Sequence, residues 1–259
     1  MSLETGPLAS IRVVLVSPME PGNVGAAARA VANTGLGSLV VVHDRVTGFA
    51  DDGRARAMSA GGVHVLESAL VVPTLARAVD DCVLVVGFTS RHRVRKEPAL
   101  RPLRRAARQI LARAGQGPVA LVFGPEDSGL ANVDLDRCSM LVSIPASDAY
   151  PVYNLAAAVV VTGYELLSVS TASSGPVPAP DRLATSEELE RLHESCRRVL
   201  TAVRFLGRRE RQGMITLRGI LARTGLQVRE YRFLMGAVGR IAEAVGVDLE
   251  GEASPAVLS

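Results

Sequence analysis

The chain has 259 residues, 48% of them hydrophobic, enough for one large domain or a medium domain with a smaller one attached. No apolar run reaches the roughly 18 residues of a membrane span, and the N-terminal MSLETGPLAS lacks the charged-then-apolar order of a secretory signal, so a soluble cytoplasmic protein is expected. Cys82, Cys138 and Cys196 are odd in number and far apart, and His43, His64, His92 and His193 are equally scattered, so neither a disulfide framework nor a metal site is expected. The net charge is only +3, and Lys96 is the sole lysine among 29 basic residues. A basic partner surface therefore has to be sought where acids are locally absent.

In chain order, IRVVLVS (11–17) is short, continuous and β-branched, as in a buried strand. A Pro- and Gly-rich turn follows, then VGAAARAVANTG, a helix with Asn23 as its cap and Gly35 as its stop. SLVVVHD is a second strand and CVLVVGFTS a third; ARQILARAG is a helix, PVALVFG and SMLVSIP are strands, and NLAAAVVVTGYELLSV is a long apolar helix. Strands alternating with helices predict an α/β fold with a parallel sheet covered on both faces. STASSGPVPAPD (170–181) then reads as an extended linker. TSEELERLHESCRRVL opens with a capping signal, and the rest is helical with breaks near Gly207, Gly213 and Gly225. The expected division is an α/β domain at 1–169, a linker at 170–181 and a small helical domain at 182–250.

The first turn, PGNVG, raises a question that the turn alone leaves open. A strand, a glycine turn and a helix N-terminus together make an anion site, and Asp44 lies at the distance expected of a ribose-binding acid. Yet the turn is GxxG rather than GxGxxG, without the lysine of a P-loop, and a plain tight turn fits equally well. Arg29, six residues after Asn23, can face the same mouth of the sheet or lie on an exposed helix face.

The second half carries more. LVFGPEDSGLANVDLDRCSMLVSIPASDAYPVYNLAAAVVVTGYEL, together with PGNVGAAARAVANTG before it, resembles the SpoU branch of the SPOUT RNA 2′-O-methyltransferases through three separated motifs. LRGILARTGLQVREYRFLMGAVGRI looks like the C-terminal extension of the J-type tRNA (cytidine/uridine-2′-O)-methyltransferases. The resemblance implies a SPOUT domain with a trefoil knot at about 119–167, a homodimer, and S-adenosylmethionine held among three loops. Those loops match Phe88, Thr89 and Ser90; Gly124 to Gly129; and Ile144 to Asn154. Gly124 and Gly129 would let backbone approach the adenosine, Leu130 and Ile144 would supply apolar walls, and Val152 and Asn154 belong to the third loop. Taken singly, those apolar residues fit an ordinary core as well.

By the same resemblance, Arg29 and Asn23 are the arginine and asparagine of the first motif, and Glu126 orients substrate or loop. A guanidinium holds its proton, so the role implied for Arg29 is to position the ribose 2′-oxygen and stabilise its developing charge. The chain departs from the family in one place. Where a small hydroxyl residue and a leucine commonly precede the third-motif asparagine, Val152 and Tyr153 stand here.

Between Arg197 and Arg232 lie ten arginines and only two acids, Glu210 and Glu230, which reads as an RNA-backbone grip. Arg208, Arg209 and Arg218 are its candidate contacts, with Arg91 and Arg93 as a second patch; a solvated or dimer-contacting helix is the competing reading. Few aromatic residues are available for base stacking. The function implied is ribose 2′-O-methylation of a pyrimidine in the tRNA anticodon loop. The rivals are an rRNA 2′-O-methyltransferase, including a self-resistance enzyme, and a cofactor-binding RNA-binding protein with little catalysis.

Overall fold

The valine-rich strings pair into one sheet in the computed structural model, which describes residues 6–42, 48–90, 99–172, 182–207 and 210–249. The strands are β1 (Ile11–Val16), β2 (Ser38–Val42), β3 (Leu70–Val72), β4 (Leu84–Phe88), β5 (Leu100–Pro102), β6 (Val119–Phe123) and β7 (Met140–Ser143). They lie in the order β3-β2-β1-β6-β4-β7-β5, and every pairing is parallel. The expected α/β fold is borne out. β4 and β6 are buried along their whole length, which is why they read as unbroken apolar runs.

The helices of this unit are α1 (Pro21–Thr34), α2 (Gly53–Ser59), α3 (Val63–Glu67), α4 (Leu75–Val79), α5 (Leu103–Ala114), α6 (Asn132–Arg137) and α7 (Leu155–Ala172). Val13 and Leu15 of β1 pack under α1, α5 and α7, whereas Val14 and Val16 pack toward α4 and α6 on the other face. The small residues of α1 serve close packing. A Cβ on Gly25 would strike the backbone of Ala55 in α2, and one on Gly163 of α7 would strike Thr34.

Two boundaries differ from the expectation. α1 starts at Pro21 with Glu20 as its N-cap, so Asn23 lies inside the first turn and its side chain is used elsewhere. Gly35 closes the helix in the left-handed conformation, as expected. α2, α3, α4, β3 and β5 are elements that the periodicity did not reveal; all are seven residues or fewer. Asp44 lies outside the described residues.

The C-terminal unit holds α8 (Ser186–Ala202), α9 (Glu210–Thr224) and α10 (Val228–Val245). Thr185 and Glu188 form the expected capping box at the start of α8. The unit is closed by Ala184 N–H donating to Leu226 O and Val228 N–H donating to Arg182 O. Its core is Ala184, Leu192, Leu221, Leu226 and Tyr231. Gly213 is not a break: α9 runs through it, and Leu206 fills the space a Cβ would take. α7 continues to Ala172, past the boundary expected at 169, and linker residues 173–181 lie outside the described residues.

The helical unit is docked as well as tethered. Ser186 N–H donates to Cys82 O at 2.6 Å and Glu187 N–H to Asp80 O at 3.0 Å. Both acceptors immediately precede β4, so the unit sits at the N-terminal edge of the parallel strands.

Candidate active site

At the opposite, C-terminal edge of β4, β6 and β7 lies a cleft, the place where open parallel sheets bind ligands. Phe88, Thr89, Ser90, Gly124, Gly129, Ile144 and Val152 all line it. Phe88 and Phe123 end adjacent strands with their rings stacked, centroids 4.4 Å apart, and form its floor. Leu130 does not line the cleft; it is buried against Val122 and Leu135 beneath it. Its apolar side chain joins the core because the loop turns inward directly after Gly129.

The tight turn explains Gly124 differently from the sequence reading. A Cβ there would collide with the backbone of Gly129 and Leu130, so this glycine lets the loop fold back on itself. Gly129 has φ +65°, and its N–H donates to Pro125 O at 2.9 Å.

Glu126, held at the tip of that loop, is the centre of a polar chain. One carboxylate oxygen accepts from Met19 N–H at 2.9 Å; the other accepts from Glu20 N–H at 3.3 Å and from Asn23 Nδ2 at 2.8 Å. Asn23 Oδ1 in turn accepts from Asn154 Nδ2 at 3.0 Å. Asn154 Oδ1 accepts from Ala156 and Ala157 N–H, which caps α7. The first turn therefore does hold an anion, and the anion is the chain's own carboxylate. The first turn is thereby locked to two segments that each lie more than a hundred residues further along the chain, where the cleft opens.

Arg29 is exposed on α1, two turns into the helix, and is not among the residues lining the cleft. Its backbone is packed against Gly62, and its guanidinium has no polar partner among the described residues. Val152 lines the cleft with half of its surface exposed. Tyr153, its departing neighbour, donates its hydroxyl to Pro145 O at 3.0 Å and so ties the two ends of the third loop together. Neither that clasp nor the Met19 and Glu20 amides carries a motif signal, because each depends on backbone geometry.

Of the expected RNA contacts, Arg91, Arg93, Arg208 and Arg209 lie outside the described residues. Arg218 is corrected: it is only 22% exposed, makes a bidentate pair with Glu190 and lies 3.3 Å from His193 Nδ1, between α8 and α9. Burial pushes its guanidinium below the ordinary value. The run of ten cations against two acids is offset by Glu187, Glu188, Glu190 and Glu194, which lie in the three turns of α8 before it. Arg197 and Arg198 both pair with Glu194. Among the described residues no group of His, Cys, Asp or Glu is placed to hold a metal ion, and no helix is long and apolar enough to cross a membrane.

The chain is similar to known proteins along most of its length. A model of the SpoU rRNA methylase family matches residues 10–164. The chain is 36% identical over 237 residues to a tRNA (cytidine/uridine/adenosine-2′-O-)-methyltransferase, TrmJ, of Pseudomonas aeruginosa, covering 87% of this chain and 91% of that protein. It is 35% identical to the tRNA (cytidine/uridine-2′-O-)-methyltransferase TrmJ of Sodalis glossinidius, covering 90% and 92% of the two chains. The crystal structure of TrmJ from Z. mobilis superposes with a TM-score of 0.74 at 30% identity, covering 89% of this chain and 98% of that one. With the family matched over more than half its length and relatives matched across both its units, the chain belongs to the SpoU methylase family.

Proposed function

We propose that this chain transfers a methyl group from S-adenosylmethionine to the ribose 2′-hydroxyl of an unpaired pyrimidine in the tRNA anticodon loop, as a cytoplasmic homodimer. The observation that carries the reading is the Glu126–Asn23–Asn154 chain, which joins all three motif regions at one mouth of the sheet. The cleft suits such a methyl donor: a stacked aromatic floor, an apolar wall at Ile144, the hydroxyls of Thr89 and Ser90, and a glycine loop of bare backbone. When bound there, the donor supplies an electrophilic methyl group on sulfur.

The chain's own groups would do the rest. Glu126 fixes the first turn, Asn154 fixes the third loop, and Tyr153 clasps that loop shut behind the cleft. Arg29 would meet the ribose oxygen and a neighbouring phosphate, stabilising the alkoxide as its proton leaves to phosphate or water. The homodimer is supported by α7, an almost wholly apolar helix that leaves Val160 and Tyr164 exposed, Tyr164 to 66%. It also gives Arg29, which lies outside its own cleft's lining, a second cleft to serve. A knot at about 119–167 is supported by the strand order, in which β4 lies between β6 and β7, so the chain from β6 passes around β4. The family's own description, which names rRNA, favours one second reading: a ribosomal substrate.

The test is to incubate the protein with labelled S-adenosylmethionine and bulk tRNA or rRNA, map the methylated riboses, and repeat with Arg29→Ala. Transfer to a tRNA anticodon-loop pyrimidine is expected, with the variant keeping its fold and cofactor affinity but losing roughly a hundredfold or more in turnover. Transfer to rRNA alone would establish the second reading, and no transfer to any RNA would leave a cofactor- and RNA-binding protein. Full activity in Arg29→Ala would remove Arg29 from the chemistry.

A further inference from the structure

The five phenylalanines divide sharply. Phe49, Phe88 and Phe123 are buried, whereas Phe205 and Phe233 are each 75% exposed. Both exposed rings belong to the helical unit, and each directly follows an exposed arginine, in the dipeptides Arg204-Phe205 and Arg232-Phe233.

The first pair is held outward by a built turn. Arg204 N–H donates to Thr201 O at 2.9 Å and Phe205 N–H to Leu200 O at 3.0 Å, the pattern of a helix C-cap whose left-handed residue is ordinarily glycine. Here that residue is Arg204, at φ +56°, a conformation that side chains adopt rarely. In such a cap the next residue normally packs back on its helix. Leu206 turns inward over Gly213 instead, and Phe205 is left in solvent.

The second pair lies on the open face of α10. Phe233 shares a stripe with Arg229, one turn before, and Gly236, one turn after. Nothing lies within 4 Å of where a Cβ on Gly236 would stand, so bare backbone adjoins the ring.

Charge selects the occupant. The glutamates of the unit, from Glu187 to Glu243, already hold an arginine or a backbone N–H. The guanidinium groups of Arg204, Arg211 and Arg232 have no polar partner among the described residues. Guanidinium groups left over beside flat exposed rings suit a polyanion that carries flat bases. Bases inside a duplex are stacked and out of reach, so the nucleotides must be unpaired. Resting on the reading that the helical unit holds RNA, we infer that Arg204-Phe205 and Arg232-Phe233 are two nucleotide clamps, each ring stacking on an unpaired base while its arginine meets the phosphate. The helical unit sits at the N-terminal strand edge and the cleft at the C-terminal edge of the same strands. Within one protomer the bases clamped are therefore distinct from the base whose ribose reaches the cleft, and the clamps act through binding.

The chain contains no tryptophan, which makes the test direct. In full-length Phe205→Trp and Phe233→Trp the new indole is the only one, and its emission is followed as bulk tRNA, a short oligouridine or a fully paired RNA duplex is added. Quenching by tRNA and oligouridine but not by the duplex is expected. Phe205→Ala and Phe233→Ala should each weaken tRNA binding by about tenfold and raise KM for tRNA with kcat unchanged, while the tyrosine variants keep most of the affinity. Unaltered tRNA affinity in both alanine variants, with wild-type helix content by circular dichroism, would overturn the clamps and leave the RNA-holding reading standing. Emission that changes with protein concentration in the absence of RNA would assign the rings to a second copy of the chain and also overturn them. If the wild-type chain binds no tRNA, the clamps fall together with the reading on which they rest.

Discussion

The sheet unit and the helical unit are held together by different forces. Two continuous clusters of fully buried aliphatic side chains lie on the two faces of the sheet, and few charged groups interrupt them. The helical unit has a single small cluster, Ala184, Leu192, Leu221, Leu226 and Tyr231, and surrounds it with Arg–Glu pairs that run within and between helices. The first unit can position a cleft to a fraction of an ångström, because packed cores resist deformation. The second carries surplus positive charge on a weaker scaffold, as suits a surface that grips a polyanion whose affinity is set by salt. Perturbations should therefore separate the two.

The largest separation is expected from Glu126→Ala. The change strips acceptors from Met19 N–H, Glu20 N–H and Asn23 Nδ2, and frees the first turn from the glycine loop. Removing one charged acceptor from such donors costs about 2 kcal/mol of local stability. Because the lost contacts set the mouth of the cleft, turnover on tRNA should fall roughly a hundredfold. Binding of tRNA, which the proposal assigns to the other unit, should change by less than about twofold. Equal losses in methylation and in tRNA affinity would show that the two units are not separable. Glu126→Gln should fall between, because an amide presents one acceptor and turns an N–H toward the backbone donors.

Residue type and period made the long elements of the sheet legible: β1, β4 and β6 are buried on both faces and so announce themselves as apolar runs. α2, α3 and α4 were not legible, since helices of five to seven residues complete too few turns to show a period. The cleft-lining residues came from the family motifs. Their connection through Glu126 did not, because two of its partners are backbone amides, which any residue supplies. Arg218 shows the opposite limit. Counted along the chain it belongs to a cationic run, and only the antiparallel packing of α8 and α9 brings Glu190 to it.

That pair gives the next test. Glu190→Ala leaves Arg218 mostly buried between helices with Arg137 nearby and its counter-charge gone, a cost of about 2–3 kcal/mol. The helical unit should then unfold in a separate, earlier transition in urea, with the sheet transition unmoved. Replacing both partners, Glu190→Leu with Arg218→Met, should restore most of the loss, since an apolar pair of similar volume needs no compensation. A single, uniformly shifted transition would mean that docking at Cys82 and Asp80 couples the units into one cooperative block.

Acid should produce a smaller effect in the same direction. The hydrogen bond from Arg197, with Arg198 adding to it, holds the Glu194 carboxyl below the usual carboxylate range despite its partial burial. For Glu188, burial pushes upward but is outweighed by the Thr185 N–H and by Arg182, so it too is held low. A folded pKa below the unfolded one means stability that is present above the ordinary carboxylate range and lost as pH falls through the lowered value. Both groups are partly exposed and screened, so the loss should be about 1 kcal/mol or less for each. Helical circular dichroism should decline on acidification before the tertiary signal of the sheet does.

Cysteine labelling provides the finest discrimination, because it reports whether the helical unit leaves the sheet or loosens in place. Burial pushes the Cys82 thiol up to about 12, against the opposing charge of Arg12, and its carbonyl accepts the first N–H of α8. Cys138 is equally buried, whereas Cys196, on α8 within the helical unit, is only half-buried. The thiolate is the reacting form, so at pH 8 iodoacetamide should modify Cys196 first and leave Cys82 almost untouched. In Glu190→Ala, loosening in place should speed labelling of Cys196 alone. Departure of α8 from the sheet would uncover the strand edge as well, and Cys82 should then label at a rate that follows the urea transition of the helical unit. If Cys82 labels as fast as Cys196 in the wild-type chain, the docked arrangement is not the one populated in solution, and the helical unit is held to the sheet by its tether alone.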